Sequence, residues 1–299
     1  MSDPFPSADQ PNPSSADAPP ASPAPDSGPQ SGPQSGPQAK DTATHILTGW
    51  WHDFVVALNF LTILPLTPKL PEGQDARSAL RYGARAFPLA GLVVGAAGAL
   101  AYGLCSLLSL PPEAAAFIAI GAMTVFTGAL HEDGLADLAD GAGVRATPET
   151  RLRIMRDSRI GSFGTLALII VVGVKAGCIT AIGWPDHVAT MLLGSAAASR
   201  AVLPALMRFM APARSDGLAF HAGRPEENQV VLAALLGVAL ALLFFGPAAG
   251  VAALVAGALA AACIGWVAKR RLGGLTGDVL GAAQQMAEAA MMLAVLAFS

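Results

Sequence analysis

Charge is scarce in this chain. Only 13% of its residues are Asp, Glu, Lys or Arg, against about a quarter in ordinary soluble domains, while 53% are hydrophobic and the mean hydropathy is +0.52. That balance excludes a soluble protein with a merely large core and implies a polytopic membrane protein. Cysteine is also rare. Cys105, Cys178 and Cys263 stand singly in separate apolar runs with no CxxC spacing, which excludes a disulfide framework or a thiolate zinc site. The opening MSDPFPSADQ has neither a basic stretch nor an apolar run and is not read as a signal peptide. No repeat relates the two halves, which weighs against the transporter architectures built from duplicated bundles. The formal net charge of −3 says little about partners, and no nucleic acid is expected among them.

What is present falls into two parts. Residues 1–45 are rich in Pro, Ser and Gln, with SGPQ-like repeats between Ser27 and Gln38; such a segment buries too little apolar surface to offset its ordering entropy and is read as a disordered tail. From residue 46 to 299 the pattern is an all-α, polytopic integral membrane helix bundle. Seven apolar segments are long enough to span a bilayer, at about 86–110, 112–130, 163–184, 187–207, 229–247, 249–268 and 279–298. Phe54–Leu66 is shorter and is read as an N-terminal interfacial or re-entrant helix; an eighth span there is the alternative. Fifteen of the eighteen Lys and Arg residues lie in alternate connections, at 69–85, 131–160, 208–228 and 269–278. Those connections are expected on the cytoplasmic side, with the C-terminus outside.

Chemistry-bearing residues gather in the same connections. HEDGLADLADG (131–141) holds four carboxylates directly after an apolar run. At about 100° per residue, Asp133, Asp137 and Asp140 share one helix face, whereas Glu132 points about 100° away from it. Like charges at that spacing destabilise a helix, and a hard cation such as Mg²⁺, Mn²⁺ or Ca²⁺ would reverse the effect. RLRIMRDSRIGSFG (151–164) interleaves four arginines with Asp157 and Ser158, and its glycines lead into the next span. Guanidinium groups and free helix-start N–H groups both suit phosphate. Acids for a divalent cation beside arginines for phosphate are what phosphoryl transfer requires. RSDGLAFHAGRP (214–225) and KRRLGGLTGDVLGA (269–282) are two further clusters on that side. Within the spans, Lys175, Arg200 and Glu288 are costly at membrane depth and should face a bundle interior. Lys175 and Glu288 are read as partners for one another or as snorkelling side chains, and Arg200 as reaching the cytoplasmic site.

FLTILPL (60–66), FPLAG (87–91), TGALHEDGLADLADG (127–141), RLRIMRDSRIGSFG (151–164), ASR (198–200), ARSDGL (213–218) and LGGLTGDVLGA (272–282) together resemble the cobalamin synthase family, the adenosylcobinamide-GDP ribazoletransferases. The chain departs from the family pattern at Ile63, where Arg is frequent, and at Glu132, where Leu is common. The resemblance implies a bacterial inner-membrane enzyme, with its active site facing the cytoplasm and a homo-oligomer compatible with it. It joins adenosylcobinamide-GDP to α-ribazole, or α-ribazole 5′-phosphate, with release of GMP and a requirement for Mg²⁺. It further implies that Asp133, Asp137 and Asp140 hold the metal and that Arg156, Arg159, Ser158, Arg200 and Arg214 contact substrate. Asp278 completes the metal or nucleotide site. Asp157 or an aspartate of the first cluster takes the ribose proton, with His131 a weaker candidate. The competing class is a transporter of a corrinoid or an ion, working through Lys175, Arg200 and Glu288.

Overall fold

The computed structural model describes residues 39–66, 76–217, 220 and 222–298. Ala43–Ser299 forms one compact unit, and the expected tail lies outside the described residues as far as Gln38. Among the described residues the fold is all-helical. The elements are α1 (Ala39–Leu61), α2 (Ala76–Gly83), α3 (Phe87–Leu107), α4 (Pro112–Thr127), α5 (Leu130–Gly143), α6 (Pro148–Ile154), α7 (Ser162–Ile182), α8 (Pro185–Ala201), α9 (Leu203–Phe209), α10 (Glu227–Arg271) and α11 (Gly277–Leu296). A 3-10 turn, Ala84–Ala86, joins α2 to α3.

Among the described residues, five helical stretches are long and apolar enough to cross a membrane: Ala79–Leu107, Ser162–Ile182, Pro185–Phe209, Glu227–Arg271 and Gly277–Leu296. The α4–α5 pair passes the same test only jointly, across a 92° bend. α10 has 45 residues, and a straight helix of that length would run about 67 Å, twice the roughly 30 Å of a bilayer core. It is broken at Gly246 (φ 74°, ψ 175°) before Pro247. A Cβ placed on Gly250 would stand 3.0 Å from the Ala241 carbonyl oxygen, so the two arms fold back on each other. Length and composition therefore allow the seven expected crossings once the arms count separately and the bent pair counts once. Phe54–Leu66 is not a free-standing segment: it is the end of α1 plus a turn, and the Ile63 N–H donates to the Phe126 carbonyl at 3.0 Å.

Two local features position the functional face. α4 ends at Gly128 (φ 62°) followed by Ala129 (φ 58°), two consecutive left-handed residues. That conformation cannot propagate a right-handed helix, so α5 leaves at a near right angle. The apolar interior is closed by small residues: a Cβ on Gly95 of α3 would stand 2.9 Å from Leu193 Cα of α8. Bilayer helices associate through such close backbone approach because lipid supplies no hydrophobic drive between them.

Candidate active site

α5 and the start of α11 build the acidic side of the site. Their axes approach closely at Gly134, where a Cβ would lie 2.8 Å from the Asp278 carbonyl oxygen, and again at Gly281, 3.1 Å from His131 Cα. Gly134 is therefore needed for contact, and the contact brings Asp278 to the carboxylates of α5. Asp133 is exposed and Asp137 half-buried. Partial burial, then the negative charges of Asp133, Asp278 and Asp140, raise the Asp137 carboxyl to about 7, with only Arg214 opposing. The helix break has turned α5 away from the spanning direction of α4, so this crowd of acids sits off the end of the bundle.

Asp140 has a role that its place on the aspartate face did not reveal. Its side chain is 9% exposed, and its two oxygens accept from the backbone N–H groups of Gly161 (2.7 Å) and Gly164 (2.9 Å). The start of α7, expected to offer free N–H groups to a phosphate, is thus occupied by a carboxylate of the chain itself, as a helix N-terminus favours. Both glycines are needed for this approach: a Cβ on Gly161 would stand 2.8 Å from the Asp140 carboxyl carbon. Arg151 fastens the other end of the same loop. Buried to 5% exposure, it donates from Nε to the Ala146 carbonyl (2.9 Å) and from Nη1 to the Ala142 carbonyl (2.8 Å) at the end of α5.

The basic side of the site comes from two loops. Arg156 Nη2 donates to both oxygens of Asp216 at 2.6 Å. Arg214 Nε lies 3.7 Å from Asp216, and its Nη2 lies 3.9 Å from Asp278. A chain of alternating charge, Arg156–Asp216–Arg214–Asp278, therefore ties the 151–164 loop to the acidic face. Two backbone hydrogen bonds, Ala213 N–H to the Leu275 carbonyl (2.9 Å) and Leu275 N–H to the Ala211 carbonyl (2.8 Å), hold the Arg214 loop beside α11. Asp216 was not singled out from the sequence; its place between Arg214 and Gly217 in ARSDGL was the available signal.

Other expected residues lie elsewhere. Asp157 is gripped by Arg159 through Nε (3.1 Å), Nη2 (2.8 Å) and the backbone N–H (3.1 Å). Those hydrogen bonds hold its carboxyl at about 2, so it is a poor acceptor for a ribose proton. Ser158 and Arg159 are exposed on the same loop. Arg200 does not reach this face: it is 2% exposed, donates to the Ala196 carbonyl at 2.9 Å, and belongs to a polar cluster inside the bundle. There the expected pairing is present, with Lys175 Nζ 2.6 Å from Glu288 Oε2. Glu132, set apart from the aspartates by its helical phase, turns into the same cluster and accepts from Gln285 Nε2 at 3.0 Å.

Among the described residues no three His, Cys, Asp or Glu side chains converge closely enough to form a ready-made metal cage. The donor set nonetheless suits a hard cation. Asp133, Asp137 and Asp278 are all oxygen ligands, they are electrostatically coupled, and their excess of negative charge has one nearby arginine against it.

Residues 53–296 match the family model for cobalamin-5-phosphate synthase. The chain belongs to that family. Adenosylcobinamide-GDP ribazoletransferases from Bradyrhizobium diazoefficiens, over 246 residues, and from Brucella canis and Brucella suis, over 253, are each 42% identical to it. The alignments cover 82% of this chain and 94–96% of the relatives. No solved structure matches. Membership in the cobalamin synthase family makes this an enzyme, a transferase of cobalamin assembly set in a membrane. The matched region takes in every motif of the face described above, from α5 to the start of α11.

Proposed function

We propose that the chain joins adenosylcobinamide-GDP to α-ribazole, or to α-ribazole 5′-phosphate, giving adenosylcobalamin or its 5′-phosphate and GMP, on the cytoplasmic face of the bacterial inner membrane. The observation that carries this reading is the meeting of Asp133, Asp137 and Asp278 across the Gly134 contact, beside the Arg156–Asp216–Arg214 chain. A ribose hydroxyl oxygen forms a bond to the phosphorus attached to cobinamide. The bond from that phosphorus to the bridging oxygen breaks, and GMP leaves with the electron pair.

Arg156 and Arg214 bind and orient the diphosphate oxygens, exchanging their present carboxylate partner Asp216 for substrate. Asp133, Asp137 and Asp278 would hold Mg²⁺, with Asp140 adding its negative charge nearby. When bound, the ion neutralises charge on the diphosphate and on the departing GMP. The ribose proton goes to an aspartate of this cluster and not to Asp157, whose carboxyl Arg159 holds well below the usual carboxylate range. Asp140 and Arg151 keep the arginine loop docked on α5.

The test is one assay. Detergent-solubilised protein is given adenosylcobinamide-GDP, α-ribazole and Mg²⁺, and GMP is measured by chromatography. Stoichiometric GMP with formation of the joined corrinoid supports the reading. Corrinoid uptake by proteoliposomes with no GMP would replace it with transport.

A further inference from the structure

A second polar cluster lies inside the bundle. Lys175 of α7 pairs with Glu288 of α11 at 2.6 Å and donates to Gln285 Oε1 at 2.9 Å. Gln285 Nε2 donates to Glu132 of α5 (3.0 Å) and to Gln284 (3.0 Å). Gln284 Nε2 donates to Ser199 of α8 (3.0 Å) and to Glu288 (3.2 Å), and Thr124 of α4 donates to Glu132 at 3.2 Å. Five helices are therefore joined by side-chain hydrogen bonds.

The cluster encloses a cavity of about 10 Å³ lined by Glu132, Lys175, Arg200, Gln285 and Glu288. Glu132 Oε2, Glu288 Oε1 and Arg200 Nε are buried without a protein partner. Two acceptors and one donor on the wall of a space this size match the bonding capacity of one water molecule.

Burying two cations and two anions is a poor way to gain stability, since apolar side chains of similar volume usually do as well or better. What the cluster does supply is a fixed place for α5. Glu132 is the residue before Asp133 and points about 100° away from the aspartate face. Through Thr124 and Gln285 it is bonded to both the helix before the 92° bend and the helix carrying Asp278. We propose that Lys175, Glu288, Gln285 and Glu132 are positioning residues that set the angle of α5, and so the spacing of its aspartates from Asp278, with one water bound at their centre. The proposal rests on the reading of the α5 aspartates as the reacting group.

Lys175→Met with Glu288→Met removes one charge of each sign and fills the same volume. This double variant should unfold at or above the wild-type temperature, yet lose about a hundred-fold in kcat, the scale of a 1 Å misplacement. Its KM for adenosylcobinamide-GDP should stay within about twofold, because Arg156 and Arg214 are untouched. Glu132→Ala should show the same split, and Glu132→Gln, which keeps the acceptor for Gln285, should recover most of the rate. Wild-type kcat in the double variant and in Glu132→Ala, with Asp137→Asn inactive, overturns the positioning role. So does a loss in Glu132→Ala that Glu132→Gln fails to rescue. An active Asp137→Asn would overturn both the reading of α5 and the proposal built on it.

Discussion

Glu132 and Asp133 are neighbours in sequence and belong to two differently organised regions. On the Glu132 side, inside the bundle, charges balance: Lys175 and Arg200 face Glu132 and Glu288, and the amides of Gln284 and Gln285 link them. On the Asp133 side, charge does not balance. Asp133, Asp137, Asp140 and Asp278 crowd together with Arg214 as their nearby cation, and Arg156 and Arg159 are spent on Asp216 and Asp157. A closed, neutral cluster holds helices in place. An open cluster with surplus negative charge is what the proposed divalent cation would neutralise.

The largest expected effect lies on the open side. Asp137→Asn keeps the volume of the side chain and removes the charge; GMP release should fall by about a thousand-fold or more, as for loss of a metal ligand at a phosphoryl centre. Its thermal unfolding should stay at or slightly above the wild-type temperature, since the substitution relieves like-charge repulsion. The closed side should respond in the opposite way. Glu288→Met alone leaves Lys175, 4% exposed, without its counter-charge and should cost about 3–5 kcal/mol, visible as a large drop in unfolding temperature. Asp140 stands between the regions. Asp140→Ala frees two N–H groups at the start of α7 and should cost about 1.5–3 kcal/mol, with the 144–161 loop gaining hydrogen exchange. The smallest overall effect belongs to Arg156→Ala. Both partners of its ion pair are more than half exposed, so stability should change by under about 1 kcal/mol, while KM for the nucleotide substrate rises several-fold.

Much of this division was legible in the residues. The apolar runs and the alternation of basic connections marked the helices, and the phase of i, i+4 and i+7 separated Glu132 from the aspartates before any contact was known. The bend was not legible, because Ala129 in a left-handed conformation has no sequence signature. Nor was the double role of Asp140: helical phase placed it with Asp133 and Asp137, but two glycines 21 and 24 residues later bring a helix start within hydrogen-bonding reach. Arg200 was misplaced for a related reason. Distance along a span gives depth, not direction, and the carboxylates that draw it inward come from α5 and α11. Gln284 and Gln285 were available as two amides in an apolar helix, and their meaning required knowing what they faced.

The central claim, that the open acidic face holds a divalent cation, is tested most directly by Mn²⁺ binding to detergent-solubilised protein, read by electron paramagnetic resonance at several pH values. The Asp137 carboxyl, ordinarily near 3.8, is raised to about 7 in the folded, metal-free protein. Protons therefore compete for the site below that pH and release it above. The account predicts bound Mn²⁺ whose affinity strengthens as pH rises through about 7 and which is lost in Asp133→Asn and Asp137→Asn. Mn²⁺ binding that is absent at every pH, or that survives both substitutions unchanged, would contradict it.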